Sequence, residues 1–125
     1  MQKNDLKSRS YDYALNMVTF IDTLPKQDYS TSVIARQLLR SATSVGANIA
    51  EAQAGSTKKD FGNFYNHALK SANESAFWLR LLRDAGKAGR EQVDELHRET
   101  IELANILGSS LLTLRGKRRP VEQPA

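Results

Sequence analysis

The sequence predicts an all-α protein, an antiparallel up-down four-helix bundle, and three observations carry that expectation. Its 125 residues hold only three prolines, Pro25, Pro120 and Pro124, so nothing between Pro25 and Pro120 breaks a helix outright. Strand signals are nearly absent, with no Val/Ile/Thr run alternating at a period of two. Apolar residues instead recur every three or four positions through four segments joined by short turn-like stretches.

The first helix is expected from about Ser10 to Leu24, with Ala14, Met17, Val18, Ile21 and Leu24 on one face and Pro25 as its stop. The second follows the cluster Ser30, Thr31 and Ser32, any of which can cap it, and runs to about Ala54 before Gly55. The third starts after Ser56 or Thr57 and ends near Ala85, with Gly86 behind it. The fourth spans about Arg90 to Arg115, between Gly89 and Gly116, and carries a seam of Val93, Leu96, Leu103, Leu107, Leu111 and Leu114. Ala42, Gly46, Ala50 and Ala54 recur every four residues on the second helix, as do Ala68, Ala72 and Ala76 on the third. Residues four apart stack on one face, so these stripes are expected to bring the two helices close together. Residues 1–115 are read as the bundle domain and 116–125 as a basic, disordered tail.

Composition removes several functions. Hydrophobic residues make up 40% and charged residues 26%, which fits a globular chain. With no cysteine, there is no disulfide scaffold, thiol nucleophile or cysteine metal site, and a cytoplasmic setting is expected. No apolar run approaches the ~20 residues of a membrane span, and the N-terminus lacks the apolar core of a signal peptide. Glu-x-x-His, the di-iron bundle motif, is absent, so neither metal nor cofactor is expected.

The charge is unevenly placed. The net of +4 includes Arg115, Lys117, Arg118 and Arg119 near the C-terminus, against Glu122. Further candidate nucleic-acid contacts are Arg36 and Arg40 on the second helix, Lys58 and Lys59 opening the third, and Arg80, Arg83 and Lys87 near its end. Acids gather on the first half of the fourth helix. With no base-reading motif, the expected contact with RNA or DNA is to the phosphate backbone and sensitive to salt. The bland reading is a set of solvated faces and helix-end charges.

The third helix is apolar nearly all round from Ala76 to Leu82. Phe77 and Leu81 fall opposite its core face, with Trp78 between the two sides, so a second subunit is expected to cover them. Arg90 and His97, seven apart on one helix face, suggest a weaker enzyme alternative: an Arg/His ribonuclease pair that holds a phosphate and moves a proton. Mixed charges around them favour a plain surface helix, and no catalytic residue is assigned.

The stretch from Ser41 to Glu74 resembles the family of 23S rRNA intervening-sequence proteins. The resemblance is carried by Ser41, Ser44, Asn48-Ile49-Ala50-Glu51, Gly55-Ser56, Lys59-Asp60-Phe61, Phe64-Tyr65, Ala68, Ser71 and Glu74. The ending from Glu102 through Leu111 to Arg119 is also similar. Gly46 stands where Pro is common, Ala52 where Gly often follows the Asn-Ile-Ala-Glu step, and Lys70 where Gly is frequent; these departures bear on local helix geometry more than on fold. The resemblance implies a bundle that assembles into a ring, commonly a pentamer, with no catalytic activity. Related bundles serve diversity-generating retroelements, where a basic pentamer contacts nucleic acid and a reverse transcriptase. Expected partners are therefore further copies of the chain, RNA or DNA, and a nucleic-acid-processing protein, with a scaffold that touches no nucleic acid as the alternative. Asn48, Glu51 and Glu74 are read as a polar network fixing register between helices, with Arg40, Ser44 and Lys70 near enough to partner them.

Overall fold

A computed structural model describes residues 5–55 and 57–116. The described residues form four helices, α1 (Asp5–Asp22), α2 (Tyr29–Ala54), α3 (Lys58–Asp84) and α4 (Arg90–Leu114), packed in sequence as an up-down bundle. The α1–α4 seam is the loosest of the four. Met17, Leu38, Val45, Ile49, Leu79, Leu82, Leu103 and Leu107 are fully buried along the axis, each side chain stabilising the fold by about 1.5–3 kcal/mol. No described helix is long and apolar enough to cross a membrane.

Four expectations need correction. Helix α1 begins at Asp5, about a turn before Ser10, and its inward face is turned. Tyr13 and Phe20 join Met17, Ile21 and Leu24 inside, while Val18 is exposed and Ala14 half-buried. The two rings bring more apolar area than the residues they displace. At the other end the helix stops at Asp22, and Lys26 Nζ donates to the carbonyls of Ile21 (2.8 Å) and Leu24 (2.9 Å).

Helix α2 starts at Tyr29, so Ser30, Thr31 and Ser32 lie inside its first turn instead of capping it. Asp28 takes the N-cap place without a side-chain hydrogen bond, and Thr31 is buried with its Oγ1 unpartnered among the described residues. Thr57 does cap α3, accepting from the Asp60 amide at 3.0 Å. Helix α3 ends through Gly86 at φ +71°, where the Gly86 amide donates to Arg83 O and the Lys87 amide to Leu82 O. This is the paired C-terminal closure that a left-handed glycine permits.

The small-residue stripes do not meet as expected. A Cβ on Gly46 would lie 3.3 Å from Ser10 O, so Gly46 marks the close approach of α1, not α3. Serines line the α2–α3 seam instead. Ser41 and Ser75 hydroxyls lie 2.7 Å apart, and Ser71 donates to Ser44 at 3.0 Å. Ser75 Oγ also reaches Ser71 O at 2.9 Å and Ser41 Oγ reaches Leu38 O at 3.3 Å, so either hydroxyl can donate across the seam while the other bonds its own helix. Two buried hydroxyls satisfied this way fix the α2–α3 register.

Candidate nucleic-acid interface and outer apolar face

Three of the basic candidates converge at one end of the bundle. Lys58 and Lys59 open α3 where Thr57 turns the chain, and Arg115 follows the last residue of α4. They line a cleft of about 490 Å³ with Gly62, Asn63, Asn66, Leu111 and Leu114. No acid among the described residues lines it, although Asp60 lies nearby in the first turn of α3. Gly62 lets Leu114 approach, since a Cβ there would sit 3.0 Å from that side chain. The α3 N-terminus adds its partial positive charge to the two lysines. Asn63 and Asn66 escaped the sequence reading; with Lys59 they repeat at three to four residues, the signal that places them on one face. Lys117, Arg118 and Arg119, and the tail beyond Gly116, lie outside the described residues.

The other basic candidates are dispersed, and several are already paired. Arg83 bonds Asp84 at 2.9 Å and Asp94 at 2.8 Å, which raises its pKa and lowers that of Asp84. Lys87 sits 3.6 Å from Asp28. Arg40 pairs with Glu74 across the α2–α3 seam. Arg36 and Arg80 are exposed and make no ion pair among the described residues. The eight basic candidates among the described residues thus do not form one surface.

The three polar motif residues have separate fates. Asn48 donates to Ser44 O and Oγ at 2.9 Å and joins the serine ladder. Glu74 accepts from Arg40 and, at 2.9 Å, from Trp78 Nε1. Glu51 is exposed and makes no hydrogen bond among the described residues, so it stands outside that network. Lys70, expected near them, is exposed and takes no part either.

Phe77 and Leu81 face outward from α3 at 48% and 37% exposure, with Trp78 half-buried beside them. The Phe77 and Trp78 rings meet edge to face at 5.0 Å. A second apolar strip, Tyr11, Leu15 and Val18 on α1 with Leu39 on α2, is exposed on the other side of the molecule. It was missed because Val18 was placed in the core; the 4- and 3-residue steps from Tyr11 to Leu15 to Val18 were the available signal.

His97 lies in the α3–α4 seam with Nε2 buried and unpartnered among the described residues. Burial lowers its pKa first, then the charges of Arg80 and Arg83, against a smaller opposing pull from Asp94. Arg90 is exposed and is not among the groups that perturb His97. No described group of three His, Asp or Glu side chains is arranged to hold a metal ion.

A family model described as 23S rRNA-intervening sequence protein matches residues 2–109. A solved structure of a protein of unknown function from the S23 ribosomal protein family of Bacteroides thetaiotaomicron VPI-5482 is 35% identical to the chain and superposes with a TM-score of 0.79. That match covers 85% of this chain and 97% of the other. No curated protein matches.

Proposed function

Given that the chain belongs to the 23S rRNA-intervening sequence protein family, we propose that it is a non-enzymatic, homo-oligomeric four-helix bundle that associates with nucleic acid, RNA foremost. The observation that carries the reading is the cleft of Lys58, Lys59 and Arg115 at the α3–α4 end of the bundle, which no acid among the described residues lines. Three cations that make no ion pair among the described residues, beside a helix N-terminus, favour phosphate over any neutral ligand. In sequence, Lys117, Arg118 and Arg119 follow Arg115 closely and continue the run of basic residues. A ring, with five copies as the number implied by the family resemblance, would repeat the cleft in every subunit and add phosphate contacts by multivalency.

The second reading is a protein–protein scaffold or accessory subunit without direct nucleic-acid contact. It is favoured by the engagement of Arg40, Arg83 and Lys87 with acids and by the exposed apolar faces. Binding of structured RNA across a salt series separates the two. Replacing Lys58, Lys59 and Arg115 together by Ala is expected to weaken binding and reduce the slope of log K against log salt by about two to three per engaged subunit. An unchanged affinity and slope would move the contact elsewhere.

A further inference from the structure

The two exposed apolar faces lie on different helices but at one level of the bundle. Ser10 of α1 is level with Gly46 of α2 at their close approach. Eight residues on from Ser10 is Val18, and eight back from Gly46 is Leu38, beside Leu39. Ser41 is level with Ser75 through their hydrogen bond, so Leu39, two back, is level with Phe77, two on. Val18, Leu39 and Phe77 therefore share one height, with exposures of 39%, 38% and 48%.

That coincidence has a geometric consequence. Rotation about an axis parallel to the bundle leaves every residue at its own height. Copies related in this way bring together only surfaces at matching levels. A contact between two different patches is also head-to-tail, which closes into a ring when the rotation permits. We infer that the Phe77–Leu81 face of α3 in one copy seats against the Val18–Leu39 strip on the α1–α2 seam of the next. The inference rests on the assembly reading above and names the two surfaces that build it.

Shape and charge favour this occupant. Trp78 is tied by its Nε1 to Glu74 and holds Phe77 edge-on, so the protruding ring is positioned before contact. Beside the receiving strip, the α1–α2 seam opens into a cleft of about 740 Å³ floored by Ala14, Gly46, Ala47 and Ala50, with Tyr11 at its edge. Opposite charges fall within a turn of the same levels on the two faces: Lys70 against Asp12, and Arg80 against Asp22. A protruding aromatic face, an exposed apolar strip at the same height and complementary charges fit a second copy of this chain.

Mixing two variants tests the pairing. Phe77→Asp removes the protrusion, and Val18→Asp with Leu39→Asp removes the receiver; all three positions are exposed, and a urea melt verifies folding. Each variant alone is expected to assemble at least about thirty-fold more weakly. Mixed, they should form a 1:1 heterodimer of twice the 14.0 kDa chain mass, because each keeps the surface the other lacks. Val18→Ser with Leu39→Ser serves if the double Asp variant unfolds, with the same direction of effect. Loss of assembly in Phe77→Asp but not in the receiver variant would overturn the pairing and leave the assembly reading standing. No heterodimer on mixing would also overturn it. A wild-type chain that stays monomeric would remove the assembly reading and the pairing with it.

Discussion

Removing the hydrogen bond between Tyr13 and Thr100 should cost different amounts depending on which partner is changed. The bond joins α1 to α4 at 2.7 Å in a fully buried setting, across the seam with the least packing. Thr100 has one proton and donates it to Leu96 O at 2.7 Å, so Tyr13 is the donor across the seam. Tyr13→Phe therefore leaves Thr100 with its own bond and should cost about 1 kcal/mol. Thr100→Val keeps the shape but strands the Tyr13 hydroxyl, which should cost about 1–3 kcal/mol. Ser75 is within reach of that hydroxyl, but it is already engaged with Ser71 O and with the Ser41 hydroxyl, so its compensation is incomplete. The double variant should be close to Tyr13→Phe and more stable than Thr100→Val alone. Urea melts at fixed protomer concentration read this directly, with a midpoint shift of about 1 M for a 2 kcal/mol loss at a slope of about 2 kcal/mol/M. Equal costs for the two single variants, or a double variant at the sum of both, would refute the assigned direction of donation.

Two further outcomes follow from close contacts and charge. Gly46→Ala should bring no net stabilisation, because the ~1 kcal/mol gained in helix propensity is offset by crowding the Ser10 backbone at 3.3 Å, and Gly46→Val should destabilise by about 1–3 kcal/mol in thermal melts. His97 is held below its ordinary value in the folded chain, so between about pH 6.5 and its lower folded pKa the unfolded chain carries the extra proton. Stability should therefore fall as pH drops through that window, and His97→Leu should flatten the fall; a steeper slope in the variant would contradict the assigned burial.

The bundle was legible because few competing signals interrupt it. Thr57 before Lys58, Gly86 after α3 and the leucine seam of α4 each announce their element locally. The misread features depend on neighbours distant in sequence. Gly46 in an alanine stripe looks the same whether it faces α1 or α3, and only the Ser10 backbone decides. Tyr13 rather than Val18 turns inward from α1, and its partner there, Thr100 of α4, is distant in sequence. The Ser30–Ser32 cluster carries ordinary capping residues, yet the helix starts one residue before it.

The candidate site was partly legible for the same reason. Lys58 and Lys59 are adjacent in sequence, but their meeting with Arg115 requires the ends of α3 and α4 to be juxtaposed. Arg40, Arg83 and Lys87 read as available cations until their acidic partners, Glu74, Asp94 and Asp28, come into place. Phe77 and Leu81 were readable as an outward face from helical angle alone, because the contrast with Leu79 and Leu82 lies within one helix.

Native mass measurement of the full chain, with and without a structured RNA over a salt series, tests the central claim most directly. The account predicts a homo-oligomer at a fixed multiple of 14.0 kDa, five copies by family resemblance, that carries RNA at low salt and sheds it as salt rises while the protein assembly persists. A monomer at every protein concentration, or an assembly that never carries RNA at low salt, would contradict it.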